Sequence, residues 1–579
     1  MTETRPTMHE RKAKLLSALL VVLLAAAAAL FFYATNFRAL HNPDAMKYAQ
    51  MSRDILRGEG CAMEEIHPRS FAFVTDGGDL RRENLAVPMR YCLSQSVVAG
   101  AFAVFGEKDS VAALTTTALY LLSVLIFYVL AGRLLNPAEA ALAAALFALN
   151  GQVLTYAVSG LTESLFLLLA LAALWWLLRA ETSPWNALGA GLALAALWFT
   201  KDLAKVFVAL AVLGAPWLLA KRRLLTTALL LVGLAAGYVA LDRLEGRINH
   251  EAWRRQAANI QYDQELIAAH APRENSWATR LIGKFGGGVI LQYSALFPGH
   301  TLERSLTPVN EARVFEDNQE VFIAKWKTNA AVTARSFFTA AFNPLMFLFF
   351  ALFPWLRRDD ETQQRRLHWW TIAALAAFLF VCLFLFSMTR YLLALTPLVA
   401  LFAAATAGRL TEKMFGGHAR RRLTATIVLA VLMLYPYALT AGSDALTHIT
   451  DREARQVRRI DAAGVQALGR FIREQTQRAD VLVSDVPWLS LWQGDRTSVW
   501  LPVDMEQLTV LRRRVHVDWL LLTFQYPWNM QPWREWLADF VKSGEPVRDG
   551  FRFATAYRQG STIFYLFRAE EEAVQSAMP

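Results

Sequence analysis

Long apolar runs separated by short polar turns fill most of the chain. They occupy residues 15–34, 110–132, 138–156, 162–179, 185–200, 204–220, 224–241, 341–356, 369–387, 391–408 and 423–442. A straight helix needs about 20 apolar residues to cross a bilayer, and several runs are shorter, so the pattern predicts spans with soft ends. About eleven transmembrane helices are expected. After residue 442 the pattern changes. Val481 to Ser484, Ser498 to Leu501 and Trp519 to Leu522 are short runs rich in Val, Leu and Trp. Helix-like stretches, Gly464 to Gln477 and Met505 to Arg514, precede and separate them, and Phe551 to Phe567 reads as a closing hairpin. That alternation predicts a small soluble α/β domain with a mostly parallel sheet. The expected fold is therefore mainly α: a polytopic helical bundle over residues 1–442, followed by an α/β domain over 443–579.

Composition supports the bilayer and removes one competitor. The chain has 579 residues, 55% hydrophobic and 19% charged, with a mean hydropathy of +0.28. A soluble protein carries about a quarter charged residues. The net charge of +10 invites a nucleic-acid reading. The basic residues, however, sit in short clusters between apolar runs, with no basic-aromatic surface motif, as in loops facing anionic headgroups; no nucleic-acid partner is expected.

The same clusters set an orientation. Arg11, Lys12 and Lys14 precede the first run and place the N-terminus in the cytoplasm. Arg133, Arg179, Lys221 to Arg223, Arg357, Arg358, Arg365, Arg366, Arg409, Lys413 and Arg420 to Arg422 then share that side if the spans number eleven. Residues 35–109, residues 242–340 and the terminal domain are left outside. The first run ends in Phe31-Phe32-Tyr33 without a small-residue cleavage pattern, so it reads as an uncleaved span rather than a signal peptide.

Cysteines are few: Cys61, Cys92 and Cys382. Cys382 lies within a span and reads as a packing residue. Cys61 and Cys92 share the first outer loop, where oxidation is permitted, and either form a disulfide or remain two buried thiols. The spacing alone leaves both open.

Charge at the outer ends of spans is the place to look for chemistry, because ionisable groups near hydrocarbon are costly without a role. Asp44 follows His41-Asn42-Pro43 just after the first span and is either a helix N-cap or a base placed at the membrane surface. Glu163 stands at the mouth of the fourth span, in Ser159-Gly160-Leu161-Thr162-Glu163-Ser164. Lys201 lies in Thr200-Lys201-Asp202 and Arg390 in Thr389-Arg390-Tyr391, both at outer turns. These two cations either snorkel or bind a surface phosphate. Four turns thus bring carboxylates and cations to one face. His300 and Glu303, three residues apart, are a weak candidate for a metal pair, since such a pair is usually structural.

The order of these motifs resembles the GT-C class of membrane glycosyltransferases. Within it the likeness is to the protein O-mannosyltransferase and lipid A aminoarabinose transferase group. It is carried by Asp44-Ala45-Met46-Lys47-Tyr48-Ala49 opening a long outer loop, Val87-Pro88-Met89-Arg90-Tyr91, Leu161-Thr162-Glu163-Ser164, Phe199-Thr200-Lys201, and Arg390-Tyr391-Leu392-Leu393 with Pro397. Three departures stand out. Ala45 replaces a second acid, Glu163 stands where Asp is common, and Val87-Pro88 is a reduced Lys-Pro-Pro.

The resemblance implies an inverting transfer of a sugar from a polyprenyl-phosphate carrier to a lipid, glycan or protein acceptor at the outer face of the bacterial inner membrane. Asp44 is then the general base, assisted by Glu163. Lys201, Arg390 and more weakly Arg90 hold the donor phosphate, with Lys47 and Tyr48 in support. No cofactor is needed by this scheme, and a divalent metal is left open. Two other readings compete: a transporter or flippase for a lipid-linked sugar, and a non-catalytic envelope assembly protein. Paired broken helices and ionisable groups at the midplane would favour the transporter, and the chain displays neither pattern.

Overall fold

A computed structural model describes residues 8–71, 74, 80–219, 222–255, 306, 319–338, 342–356, 361–384, 389–450, 452–524, 530–559 and 562–570. The fold is mostly helical. Helices α1 (Met8–Asn36), α2 (Pro43–Leu56), α3 (Leu93–Phe105), α4 (Asp109–Leu134), α5 (Pro137–Ala148), α6 (Gly151–Ala157), α7 (Glu163–Arg179), α8 (Asn186–Trp198), α9 (Ala204–Leu218), α10 (Arg223–Ile248) and α11 (His250–Arg255) come first. Further helices cover Gln319–Ser336, Pro344–Leu356, Thr362–Phe384, Thr396–Phe415, Ala419–Thr450 and Arg452–Gln475. Each expected apolar run coincides with a helix, α5 and α6 together taking the third. Among the described residues five helices are long and apolar enough to cross a bilayer. The α5–α6 pair, bent by 62°, makes a sixth. The shorter apolar helices α3, α8, α9 and Pro344–Leu356 fall below that length. The molecule is a multi-pass helical membrane protein.

Local sequence sets the helix ends. Asn136 and Asn150 cap α5 and α6 with their side chains, and at α5 Glu139 completes a capping box behind Pro137. Helices α8 and α10 approach closely because both lack side chains at the contact. A Cβ on Gly191 would strike the Leu230 carbonyl, and one on Gly233 the Leu188 carbonyl. Small residues serve this purpose in membranes, where close backbone packing replaces the hydrophobic effect between helices.

The terminal domain holds a seven-stranded sheet, and one strand comes from far away. Strands β1 (Ala62–Met63) and β3 (Val87–Pro88) pair with each other in the first outer loop. Strand β2 (Glu65–Ile66) instead joins β4 (Val481–Ser484), β5 (Thr497–Trp500), β6 (Trp519–Leu522), β7 (Val547–Arg548), β8 (Phe551–Gln559) and β9 (Thr562–Ala569), in the order β2-β5-β4-β6-β9-β8-β7. The first four in that order are parallel and the last three antiparallel. The sheet is therefore not confined to residues 443–579, and residue 442 lies inside the helix Ala419–Thr450.

Alternation along β4 explains how the sheet docks. Val481 and Val483 face a core that includes Ile66, Phe71, Trp533 and Trp536. Leu482 faces the other way, into a core shared with Trp488, Trp500, Leu521 and, from the membrane-side elements, Ala45, Met46, Ala49, Val98 and Phe102. The sheet thus docks on α2 and α3 through the short helix Pro487–Trp492, whose Trp492 ring stacks on Phe102 with centres 5.9 Å apart. Cys61 and Cys92 form a disulfide, with Cα atoms 6.4 Å apart, and Cys382 is a buried free thiol.

Candidate active site

Helix α2 begins with Asn42, whose side-chain oxygen accepts the Asp44 backbone N–H at 2.9 Å, and Pro43 fills the first helical position. Asn42 is the cap, so the N-cap reading of Asp44 does not hold. The Asp44 carboxylate, in the first turn and 35% exposed, accepts a charge-assisted hydrogen bond from Arg390 Nη1 at 3.0 Å instead. Arg390 lies in the 3-10 turn Thr389–Leu395 that leads into the helix Thr396–Phe415.

The next partner is Glu163, the first residue of α7. Its Oε1 lies 2.9 Å from Lys201 Nζ and 3.9 Å from Arg390 Nε, and the side chain is 4% exposed. Lys201 stands in the turn between α8 and α9, with its ammonium 5.1 Å from the Phe166 ring centre. Burial pulls the Lys201 ammonium below the usual lysine range, and Glu163 acts against that shift. The turn that presents Glu163 depends on Gly160, which has φ +78° and no room for a side chain beside Leu40. Thr116 fixes the same turn by donating to the Ala157 carbonyl at 2.8 Å and accepting the Gly160 N–H at 3.3 Å.

The four side chains form one line of alternating charge, Asp44–Arg390–Glu163–Lys201, drawn from four separate parts of the chain. The Glu163 Oε2 atom is buried and has no hydrogen-bond partner among the described residues. Tyr48, one turn after Asp44, faces the same charges. Burial of its phenol, then the nearby Asp44, pushes its pKa up, so it is a hydrogen-bond donor at any physiological pH. Beside it lies a small cavity, about 10 Å³ of free volume, bounded by Tyr48, Ser52, Ser94, Gln95 and Thr162 among others.

Other expected site residues lie elsewhere. Arg90 is exposed and faces Glu245 of α10; no ion pair among the described residues joins it to the cluster. Lys47 pairs with Glu65 of the sheet, at 2.8 Å, rather than with a member of the cluster. His300 and Glu303 lie outside the described residues. Among those that are described, no group of three or more His, Cys, Asp or Glu is placed to hold a metal ion. Sequence reasoning missed Asn42, although Asn followed by Pro is a helix-start signal. It also missed Glu65, whose two-residue strand has no periodic pattern to mark it.

Residues 93–241 match the sequence family described as dolichyl-phosphate-mannose-protein mannosyltransferase. The matched stretch contains Glu163 and Lys201. The fold is similar to that of the oligosaccharyltransferase AglB from Archaeoglobus fulgidus, solved with an inhibitory peptide and a dolichol-phosphate: 13% identity, 99% of this chain and 75% of that one covered, TM-score 0.53. Against the apo form of the Archaeoglobus fulgidus oligosaccharyltransferase the values are 11%, 88%, 69% and 0.52. ArnT from Cupriavidus metallidurans bound to undecaprenyl phosphate gives 13%, 95%, 97% and 0.45. No curated protein matches the chain. The resemblance to GT-C membrane glycosyltransferases that use polyprenyl-phosphate carriers is borne out by the family match and by the fold.

Proposed function

We propose that this protein transfers a sugar, with inversion, from a polyprenyl-phosphate carrier to a lipid, glycan or protein acceptor at the outer face of a bacterial inner membrane. The observation that carries the reading is the charge line Asp44–Arg390–Glu163–Lys201, gathered from four segments onto a helical membrane fold. In the arrangement we infer, eleven spans leave the N-terminus in the cytoplasm and the sheet domain outside.

The chemistry follows from an exchange of partners. A sugar phosphodiester brings one negative charge, and cleavage of the anomeric C–O bond leaves the carrier as a phosphate with a second. Arg390 and Lys201 turn from their carboxylates to the phosphate oxygens and stabilise the charge that develops there. Asp44, released by Arg390, takes the proton of the acceptor hydroxyl as that oxygen attacks the anomeric carbon from the opposite side. Glu163 stays between the two cations and sets their spacing. Arg90, exposed beside Glu245, contributes at most to the approach of the lipid.

The test is to purify the protein in native lipid, extract what co-purifies and identify it by mass spectrometry. A polyprenyl-phosphate sugar that the wild-type protein consumes in vitro, with free polyprenyl phosphate released, supports the reading. Recovery of the same lipid unchanged after incubation with every acceptor class, alongside its net movement across a sealed vesicle, would replace transfer by transport.

A further inference from the structure

Helix α2 is gripped at both ends by the terminal domain. Towards its C-terminal end, Arg53 and Arg57 reach Asp495 at 3.2 and 2.9 Å, and the Arg53 guanidinium lies 4.0 Å from the centre of the Trp492 ring. Towards its N-terminal end, Lys47 reaches Glu65 Oε1 at 2.8 Å. The same oxygen accepts the Trp500 indole N–H at 2.6 Å, and Trp500 is stacked on His67 with ring centres 5.2 Å apart. Glu65 is fully buried in β2, and its other oxygen has no hydrogen-bond partner among the described residues.

Such a carboxylate is a poor adhesive. An ion pair withdrawn from water seldom outperforms an apolar pair of the same volume, and a buried oxygen without a donor adds a further penalty. Adhesion is supplied already: Ala45, Met46 and Ala49 of α2 share a core with Leu482, Trp500 and Leu521. Small, non-directional contacts of this kind set how near the helix lies to the terminal domain. Arg53 and Arg57 direct its C-terminal end, and the contacts of Ala45, Met46 and Ala49 leave the rotation of its first turns loosely defined. A directed ion pair defines it. Lys47 follows Asp44 by three residues and precedes Tyr48 by one, and positions three apart on a helix share a face. A tether at Lys47 therefore fixes the direction in which Asp44 leaves the helix.

We propose that Glu65 is a positioning residue for the transfer reaction. By holding Lys47 it locks the rotation of the first turns of α2, and with it the Asp44 carboxylate, against the terminal sheet. The inference rests on the reading of Asp44 as the base. The terminal domain is then part of the frame of the active site, and a loss of about 1 Å in placement costs about 100-fold in rate.

The test uses the full chain in lipid nanodiscs, with the variants Glu65→Gln, Lys47→Met and Asp44→Asn. Turnover is followed on the lipid-linked sugar recovered with the wild-type protein, and binding is measured with undecaprenyl phosphate alone. Glu65→Gln and Lys47→Met should each lower kcat by about 10- to 100-fold, with KM and undecaprenyl phosphate affinity within about 2-fold of wild type and an unchanged melting temperature. Normal kcat in both variants overturns the proposal. So does a fall in kcat that is matched by equal losses of binding and melting temperature, since that is loss of structure alone. Should Glu65→Gln fail to fold, Lys47→Met decides, because it leaves the Glu65–Trp500 bond in place. Asp44→Asn separates the two readings. Full transfer in that variant ends the base assignment and this proposal with it. Loss of transfer there, beside normal kcat in the other two, ends only the role of Glu65.

Discussion

Two groups of charge lie on α2, and they are built on different plans. Asp44 and Tyr48 sit roughly half a turn around the helix from Arg53 and Arg57, by the ordinary helical advance. On the first side the partners run in a single file: Asp44 takes Arg390 at 3.0 Å, Arg390 reaches Glu163 at 3.9 Å, and Glu163 takes Lys201 at 2.9 Å. On the second side partners are shared. Glu59 takes Arg82, Arg255 and Arg478 at 3.4, 3.7 and 2.7 Å, and Asp495 takes Arg53, Arg57 and Arg478 at 3.2, 2.9 and 3.7 Å. Glu64 takes Arg82 at 3.5 Å, Arg255 at 2.5 Å and the Thr497 hydroxyl at 2.7 Å. A network with several partners per group joins the first outer loop, α11 and the sheet domain, and it tolerates the loss of one contact. A single file does not, and it is the arrangement in which an incoming phosphate can replace a carboxylate one contact at a time. Redundancy marks the side that holds the fold, and the single file is the side to which the proposed transfer is assigned.

The sharpest break of this comparison is Asp44→Asn. Asn42 caps α2, so the substitution spares the helix start, and Asn keeps the size of the side chain while losing the ability to take a proton. Expression, melting temperature and undecaprenyl phosphate binding should stay normal, while transfer falls by at least about 100-fold. Transfer within a few-fold of wild type would make Asp44 a structural partner of Arg390 and move the search for the base to Glu163.

Next come the cations. Arg390→Ala and Lys201→Ala should each weaken undecaprenyl phosphate binding by about 1–3 kcal/mol, the range for charge-assisted contacts. The effect should be larger for Arg390, whose planar fork can hold two phosphate oxygens at once. Equal affinity in both variants and wild type would place the phosphate elsewhere.

Both groups differ also in how far the sequence disclosed them. The eleven apolar runs foretold where helices form, because burial in lipid writes a long, continuous signal. Among the described residues five helices, or six with the α5–α6 pair, are long and apolar enough to cross a bilayer, so the expected count of eleven spans goes beyond them. Asp44, Glu163, Lys201 and Arg390 were visible because charge at a helix end next to hydrocarbon is rare enough to notice. Three of the parallel strands and the terminal hairpin also stood out, as short Val, Leu and Trp runs between turns. The fourth parallel strand did not. Glu65-Ile66 is two residues long, and its partner Ser498-Val499 lies more than 400 residues away, so only the folded chain brings them together. The second charge network was illegible for the same reason: Arg53, Arg82, Arg255 and Arg478 look like ordinary surface basics one by one. Helices such as α8 and α9, with 13 and 15 residues, fall below the length that composition alone would accept as a span.

The network side should respond in the opposite sense to the reactive side. Asp495→Asn removes the shared acceptor of Arg53, Arg57 and Arg478 and should lower stability by about 1–3 kcal/mol, with transfer per folded molecule within about 2-fold of wild type. Thermal unfolding in nanodiscs, paired with turnover, reads both quantities. A variant that melts normally but fails to transfer would erase the distinction between the two sides.

The smallest effect belongs to Asp54, which lies on α2 within the network and is fully buried. Gln50 Nε2 donates to its Oδ1 at 2.8 Å, and its Oδ2 has no partner among the described residues. Burial first, then Glu64 and Glu59, push its pKa well above the carboxylate range, with Arg53 and Arg82 opposing. The sign follows from linkage. A carboxyl that holds its proton more tightly when folded contributes stability that is full below its unfolded pKa and is lost as pH rises through its folded pKa. Glu64, held low chiefly by Arg82 and Arg255 against its own burial, has the opposite slope: its contribution is present above the unfolded pKa and fades as pH falls. The two act in different windows, Glu64 below the ordinary carboxylate pKa and Asp54 above it. Asp54→Asn isolates one of them, because Asn keeps the acceptor for Gln50 and never ionises. The variant should lose the decline in melting temperature between mildly acidic and mildly alkaline pH, gaining on wild type as pH rises, with transfer unchanged. Parallel melting curves for the two proteins across that range would mean that Asp54 is ionised in the folded state, and that the arginines around α2 reach it after all.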